Sequence, residues 1–369
     1  MLDGRVSPLV PMPAGNPRES AALTAALRIG QQIDDEVALV VTTSGTTGTP
    51  KGAMLTPSAL IASASATHDR LGGPGRWLLA LPAHHIAGIQ VLVRSLLAGT
   101  VPVELDVSSG FDPAEVPGAV EDMGSGRRYT SLVATQLAKA LADPAAAAAL
   151  AELDAVLLGG GPAPRPVLDG AAEAGITVVR SYGSSETAGG CVYDGLPLDG
   201  VQVRIDGADD RADADGVGLV VIGGATLAIG YRNPPDPDPF GEPGWFRTDD
   251  IGRLDDSGRL VVLGRADEAI STGGLTIMPA AVEAVLVRHP AVAECAVFGV
   301  PDDRLGERVV AAVVPVPGCA PALDELREFI AQSLDTTAAP RELHLVDELP
   351  RRGIGKLDRR RLRDALTKT

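Results

Sequence analysis

The stretch Thr42–Gly52, TTSGTTGTPKG, has the residue types of a phosphate-binding loop. Its glycines allow backbone N–H groups to approach an anion closely, its hydroxyls can donate hydrogen bonds, and Lys51 supplies a cation. The apolar run Val37–Val41 precedes it directly and predicts a buried strand that ends at the loop. The stretch is not a Walker A loop, because Gly52 stands where that motif requires Ser or Thr. A polar surface turn is the alternative, but an ordinary turn does not need so many Ser and Thr side chains next to Pro-Lys-Gly.

A second loop, Ser181–Gly190, is also dense in Gly, Ser and Thr and follows a predicted strand at Ile176–Arg180. Within it, SYGSSET combines the aromatic face of Tyr182 with hydroxyl donors and the carboxylate of Glu186. Such groups can stack on a purine, contact phosphate and hold a divalent cation. Taken alone, the segment is also compatible with an ordinary turn. The same is true of Gly159-Gly160-Gly161, whose glycines would let the backbone lie against a planar base.

Strand and helix patterns alternate in the elements that must position these loops. Thr56 is a predicted N-cap, with Pro57 in the first helical position. The alternation favours a mostly parallel α/β sheet. The predicted helices include Glu19–Gln32, Thr56–Arg70, Ile86–Ala98, Thr130–Leu141, Ala145–Ala151 and Val167–Ala174, and the predicted strands include Trp77–Leu81, Val101–Leu105 and Asp154–Leu158.

The pattern changes twice in the second half of the chain. From Val201, short strands alternate with Gly, Asp and Pro turns, which predicts a small β subdomain that resembles a distorted barrel. After Gly264, helices at Pro279–His289 and Leu323–Leu334 flank strands, which indicates a compact α+β domain. We therefore predict an α/β fold with a large N-terminal domain at 1–264, its β-barrel-like subdomain at about 195–264, and a smaller α+β C-terminal domain at 265–369.

Composition excludes several function classes. The 369 residues suffice for two or three domains, and the net charge of −16 disfavours binding to nucleic acid or to an anionic membrane surface. Three widely spaced cysteines form neither a disulfide framework nor a zinc motif, which favours a reducing, cytoplasmic location. We expect neither a signal peptide nor a membrane span.

Together these motifs resemble those of the adenylate-forming superfamily, which contains acyl-CoA synthetases, the adenylation domains of peptide synthetases and firefly luciferase. Three further segments carry the resemblance: WFRTDDIG at Trp245–Gly252, GRADEAISTGGLTIMP at Gly264–Pro279 and PRRGIGKLDR at Pro350–Arg359. The resemblance implies an enzyme that uses ATP and Mg²⁺. It also implies a mobile C-terminal domain that turns about a hinge at Asp267.

The resemblance assigns roles to individual residues. Lys356 would be the catalytic cation at the α-phosphate, Lys51 would hold the β- and γ-phosphates, and Glu186 would bind Mg²⁺ together with Thr46. Asp250 would accept hydrogen bonds from both ribose hydroxyls, although Asp249 replaces the usual Gly before it. The implied ATP-binding residues are Thr43, Ser44, Gly45, Thr46, Thr47, Gly48, Lys51, Gly159, Gly160, Gly161, Ser181, Tyr182, Gly183, Ser184, Ser185, Asp250, Arg265 and Lys356.

The acyl substrate is expected near Leu81–Ala98, LPAHHIAGIQVLVRSLLA. His85 matches a His that superfamily members carry before a substrate-lining helix, with a structural role as the alternative. Arg94 on the same helix would face an acidic substrate or only solvent. This stretch resembles o-succinylbenzoate–CoA ligases of menaquinone biosynthesis, which implies a small carboxylic acid and CoA as further substrates. Gly273 and Gly274 would line the pantetheine channel.

Some alternatives remain open from the sequence. The acid could be another aryl or fatty acid, or the acceptor a carrier protein, and a non-catalytic AMP/ATP sensor would belong to a different class. The arginines around Lys356 could be a solvated face. Only about forty residues precede the first loop, so the pocket would be more open than usual or completed by a partner subunit, for instance in a homodimer.

Overall fold

The computed structural model describes residues 2, 7–13, 17–43, 50–207, 216–352 and 356–366 of the chain. Its helices are α1 (Pro17–Ala26), α2 (Pro57–Arg70), α3 (Ile86–Leu97), α4 (Val116–Asp122), α5 (Ala134–Leu141), α6 (Pro144–Ala151), α7 (Arg165–Glu173), α8 (Pro279–Leu286), α9 (Leu323–Ala331) and α10 (Arg359–Leu366). Its strands are β1 (Leu39–Thr43), β2 (Lys51–Leu55), β3 (Arg76–Leu79), β4 (Val103–Glu104), β5 (Arg128–Val133), β6 (Ala155–Gly159), β7 (Val178–Ser184), β8 (Gly189–Tyr193), β9 (Leu196–Pro197), β10 (Val201–Asp206), β11 (Gly218–Gly224), β12 (Trp245–Leu254), β13 (Leu260–Arg265), β14 (Ile270–Thr272), β15 (Leu275–Ile277), β16 (Val292–Asp302), β17 (Gly306–Pro315), β18 (Glu342–Leu345), β19 (Arg351–Arg352) and β20 (Lys356–Leu357).

A seven-stranded sheet in the order β4-β3-β5-β6-β7-β8-β9 organises the N-terminal domain. The pairs from β4 to β7 are parallel, and β8 and β9 are added antiparallel at one edge. One face packs on α4, α5, α6 and α7 through an aliphatic core that includes Leu132 and Leu158. Burial on both faces explains why the strands are continuous apolar runs. The predicted α/β class is therefore confirmed.

The predicted helix Thr130–Leu141 is wrong in its first part. Residues Arg128–Val133 form β5, which lies between β3 and β6, and the helix begins only at Ala134. Tyr129 and Thr130 are completely buried in this central strand. Local spacing did not reveal the strand, because its pairing partners lie far away in the chain.

The first loop joins two strands of a hairpin. β1 and β2 pair antiparallel, with Thr43 opposite Lys51. Lys51 is therefore the first residue of β2, whereas the sequence pattern predicted that it lies in the loop. Thr56 then caps α2, and its Oγ1 accepts a hydrogen bond from Ala59 N at 3.1 Å, as predicted. Packing of β1, β2, α2 and α3 forms a further core.

The β subdomain is a four-stranded antiparallel sheet in the order β10-β11-β12-β13, where the sequence pattern suggested a distorted barrel. The sequence analysis missed β12 as a strand, although it named the WFRTDDIG motif that β12 carries. β12 bends at irregularities in its pairing with both neighbours, which breaks the alternation of buried and exposed residues.

The C-terminal domain contains a five-stranded sheet of β14 to β18, with α8 and α9 packed on it and α10 on a separate apolar cluster. β19 and β20 form a short hairpin in front of α10. Within the described ranges, no helix is long and apolar enough to cross a membrane.

Candidate active site

The second loop is the end of a strand followed by one tight turn. Ser181–Ser184 belong to β7, and Ser185–Thr187 form a 3₁₀ turn that leads into β8. A Cβ on Gly183 would lie 2.1 Å from the carbonyl oxygen of Gly189, so only glycine fits where β7 and β8 approach each other. The 3₁₀ turn packs against both β1 and β2. The structure therefore brings the two predicted motifs together.

Ala188 ends this turn in the left-handed conformation, with φ 50° and ψ 38°. This conformation is unfavourable for a residue with a side chain. Two buried donors hold it: Ser63 Oγ and Gln90 Nε2 donate to the Ala188 carbonyl at 2.9 and 2.7 Å. Side chains of α2 and α3 thus fix the path of the motif.

Glu186 is 6% exposed and anchored on one side. Tyr231 Oη donates to its Oε1 at 2.7 Å, and Ala228 N donates to its backbone carbonyl at 2.8 Å. No group of three or more His, Cys, Asp or Glu that could hold a metal ion exists among the described residues. A single carboxylate fits Mg²⁺ that is held mainly by nucleotide phosphates and water. Glu186 is therefore the described residue that would hold the ion.

Lys51 contacts the ring of the same tyrosine whose hydroxyl binds Glu186. Its Nζ is 5.4 Å from the centroid of the Tyr231 ring, within the range of a cation–π contact. Thr43 is the last residue of β1, across the hairpin from Lys51. The remaining predicted residues of this loop, Ser44, Gly45, Thr46, Thr47 and Gly48, lie outside the described residues.

The predicted base and ribose residues also converge. Tyr182 Oη donates to Asp250 Oδ2 at 2.7 Å. Burial and the neighbouring Asp250 carboxylate raise the pKa of Tyr182 well above its usual value. Arg265 Nη1 lies 3.9 Å from Asp250 Oδ1, and the same guanidinium binds Asp249 and Asp267 at 3.0 and 2.8 Å. Asp249, which departs from the family pattern, is thus an ion-pair partner of Arg265.

The glycine cluster lies beside the second motif. A Cβ on Gly159, the last residue of β6, would meet the Ser181 carbonyl oxygen at 3.3 Å. Gly160 has φ +82°, and a Cβ on Gly161 would meet nothing within 4 Å. The backbone at this position is open enough for a flat ligand to approach.

The structure separates the two acyl-site candidates. His85 is the N-cap residue of α3, and its ring lies 4.3 Å from that of His84. Arg94 lies nine residues further along, about 13 Å along the helix axis. It is 3% exposed, with its guanidinium 4.7 Å above the Trp77 ring, so the solvent-facing alternative is wrong. Burial lowers the pKa of Arg94, and its Nε has no partner.

The predicted C-terminal residues occupy two turns and a hairpin. Asp267 lies in a 3₁₀ turn, Ala266–Glu268, directly after β13. Gly273 and Gly274 form the turn between β14 and β15 with φ +59° and +84°, a conformation that favours glycine at both positions. Lys356 opens β20 opposite Arg352, and its side chain is outside what the structure describes.

The family of AMP-binding enzymes matches residues 12–232, more than half of the chain, and its C-terminal domain matches residues 281–356. The chain belongs to the AMP-binding enzyme family. This is the adenylate-forming superfamily that the motifs resembled.

Individual members of the AMP-binding family are similar over most of the chain. A probable 2-succinylbenzoate–CoA ligase of Mycobacterium tuberculosis H37Rv is 69% identical over 346 residues, 93% of this chain and 88% of that protein. The 2-succinylbenzoate–CoA ligase of Geobacillus kaustophilus is 37% identical, over 91% of this chain and 70% of that protein. The structure of Bacillus subtilis o-succinylbenzoate CoA synthetase with the acyl-adenylate OSB-AMP matches with TM-score 0.76 and 32% identity, over 89% of this chain and 69% of that one.

The sequence analysis missed Tyr231 and Asn233 in this member of the AMP-binding family. Both contact residues of the β1–β2 hairpin or of the Glu186 turn, but along the chain Tyr231 is 45 residues from Glu186 and still further from Lys51. The local signal was a Tyr and an Asn between Gly230 and Pro234, in a stretch without helix or strand periodicity. Such a pattern predicts a turn and gives no indication of what the side chains contact.

Proposed function

We propose that this protein is an ATP-dependent acid–CoA ligase that converts 2-succinylbenzoate to its CoA thioester. One observation carries the proposal: residues from three motifs that are distant in the chain lie together. The turn bearing Glu186 packs on the hairpin that bears Lys51, and Tyr182 of the same motif binds Asp250. The choice of acid rests on the relatives reported above, which are named as CoA ligases of 2-succinylbenzoate.

In the first half-reaction, a carboxylate oxygen of the acid attacks the α-phosphorus of ATP, the α–β phosphoanhydride bond breaks and pyrophosphate leaves. Lys51 and the hairpin loop hold the β- and γ-phosphates, and Asp250 and Arg265 hold the ribose. Mg²⁺ at Glu186 would neutralise part of the phosphate charge. Lys356 stabilises the negative charge on the reacting phosphoryl group.

In the second half-reaction, the CoA thiolate attacks the acyl carbon and the C–O bond to AMP breaks. The C-terminal domain, with bounds at 265–369, turns about Asp267, withdraws Lys356 and brings Gly273 and Gly274 to the cleft. Their tight turn presents backbone without side chains, which suits a narrow pantetheine channel.

We also propose the acyl pocket along α3, from His85 at its N-terminus towards Arg94. 2-Succinylbenzoate has two carboxylates, and Arg94 is a buried cation without a carboxylate partner among the described residues. The second carboxylate of the acid would compensate it. A cytosolic location fits the three free cysteines, and a homodimer stays a prediction that light scattering would test.

A panel of acids tests the proposal. Purified protein with ATP, Mg²⁺ and CoA should release AMP and pyrophosphate and form a thioester, detected by mass spectrometry, with 2-succinylbenzoate in preference to benzoate or fatty acids. Loading of a carrier protein in place of CoA would indicate an adenylation enzyme. Nucleotide binding without pyrophosphate release from any acid would indicate a sensor.

A further inference from the structure

The segment Ala228–Asn233, named here the strap, runs alongside β2. Met54 N donates to Gly230 O at 2.9 Å, Ile229 N donates to Met54 O at 3.0 Å, and Arg232 N donates to Gly52 O at 2.7 Å. A β-bridge joins Ala53 to Tyr231. The strap is therefore held by backbone hydrogen bonds to the strand that leaves the phosphate loop.

Asn233 fixes the exit of that loop with both ends of its side-chain amide. Its Nδ2 donates to Pro50 O at 2.7 Å, and its Oδ1 accepts from Gly52 N at 3.1 Å. Lys51 lies between these two residues. Its backbone is thus held on both sides by one side chain.

Tyr231 joins the two halves of the phosphate site. Its hydroxyl binds Glu186, and its ring lies under the Lys51 ammonium at 5.4 Å from Nζ. The ring is 7% exposed and packs edge-on against Phe240. Because the hydroxyl occupies Glu186 Oε1, the carboxylate is held in one orientation.

We propose that the strap is a positioning element for the phosphates of ATP: Tyr231 orients Glu186 and Lys51 together, and Asn233 holds the backbone on either side of Lys51. In this proposal, neither Tyr231 nor Asn233 contacts the reacting atoms. The inference depends on ATP binding as part of the proposed function, but not on the identity of the acid.

The test compares two nucleotides by calorimetry. AMP has no β- and γ-phosphates, so its affinity depends on the proposed base and ribose residues Tyr182, Asp250 and Arg265 and not on the residues proposed to hold those phosphates. Tyr231→Phe keeps the ring and removes the hydroxyl, and we expect it to weaken Mg·ATP binding about tenfold, the effect of one hydrogen bond to a charged group. AMP binding should be unchanged. Asn233→Asp, which loses the donor to Pro50 O, should show the same selectivity.

Tyr129→Phe is the matched control. Tyr129 is also buried, and its hydroxyl donates to Leu71 O and Gly73 O, away from the strap. It should leave both affinities unchanged. The inference is overturned if Tyr231→Phe and Asn233→Asp leave Mg·ATP binding unchanged, or if they weaken AMP and Mg·ATP equally. Failure of the proposed function would instead appear as normal nucleotide binding without thioester formation.

Discussion

Two carboxylates at the site, the buried Glu186 and the half-buried Asp250, each accept a hydrogen bond from a tyrosine hydroxyl. Tyr182 donates to Asp250, and Tyr231 donates to Glu186, both at 2.7 Å. Burial raises the pKa of each tyrosine most, and the neighbouring carboxylate raises it further. Both hydroxyls therefore stay protonated at neutral pH and remain donors. The acids that would meet the ribose and the metal are thus oriented before any ligand binds.

Gly183 allows a prediction about backbone approach. In Gly183→Ala the new Cβ meets the Gly189 carbonyl at 2.1 Å, so β7 and β8 must separate. Overpacking of this kind costs roughly 1–3 kcal/mol. We expect a lower midpoint of thermal unfolding and weaker AMP binding. Gly118→Ala, on the exposed side of α4 and with a Cβ that meets nothing within 4 Å, should lower neither, and equal behaviour of the two variants would refute the assignment.

Arg94 allows a prediction that separates stability from substrate binding. Arg94→Met keeps an unbranched apolar stem and removes a buried charge whose Nε has no partner. Such a replacement is often neutral or stabilising. The free energy of unfolding should therefore stay constant or rise, while the KM for 2-succinylbenzoate should rise about tenfold or more. A loss of stability with unchanged KM would show that Arg94 is only structural.

Among the helices and strands, those whose signal lies within their own residues could be predicted from the sequence. The helix α2 was predicted with its cap because Thr56 and Pro57 carry the signal themselves. β5 was misplaced because its pairing partners β3 and β6 are distant in the chain. β2 was missed because its first residues, Lys51 and Gly52, belong to the Gly- and hydroxyl-rich stretch that was predicted as a loop. The motifs identified Glu186 and Asp250. They missed Tyr231, whose role arises only when the strap lies against β2.

The C-terminal helix α10 is tied by Arg359 to the 3₁₀ turn that contains the proposed hinge residue Asp267. Arg359 Nη2 binds both carboxylate oxygens of Glu283 at 2.7 Å, and its Nη1 binds Glu268 at 2.9 Å. Glu268 is in the same 3₁₀ turn as Asp267. The hairpin bearing Lys356 is thereby linked to the proposed hinge, so the two should move as one body.

Arg359→Met should lower the free energy of unfolding by about 3 kcal/mol, because it leaves a buried carboxylate without its partner. Burial raises the pKa of Glu283, and Arg359 opposes that rise, so the pKa should increase further in the variant. A raised carboxyl pKa means that the folded protein binds more protons than the unfolded one. Its stability then falls as the pH rises through that pKa.

The loss in Arg359→Met should therefore be larger at pH 8 than at pH 5, as measured by thermal denaturation at both values. Arg360→Met is the control, since Arg360 is exposed on the same helix. A loss that is independent of pH would contradict the pairing with Glu283.

At the scale of the whole molecule, two domains contribute to one reaction sequence. The N-terminal domain contains the described residues of the proposed nucleotide site, Lys51, Tyr182, Glu186 and Asp250, and the smaller domain carries Lys356 and the Gly273-Gly274 turn at separate places. In the proposed mechanism, Lys356 acts where charge builds up on phosphate, and the glycine turn acts where CoA enters. The account therefore requires the smaller domain to present these parts in succession.

The half-reactions of Lys356→Ala test this claim most directly. The rate of adenylate formation is measured by the acid-dependent exchange of pyrophosphate into ATP. It should fall on the order of 10²-fold or more, comparable to the loss of one oxyanion donor. Thioester formation from supplied acyl-adenylate and CoA should proceed at close to the wild-type rate. An equal loss in both half-reactions would contradict the alternation of the two domains.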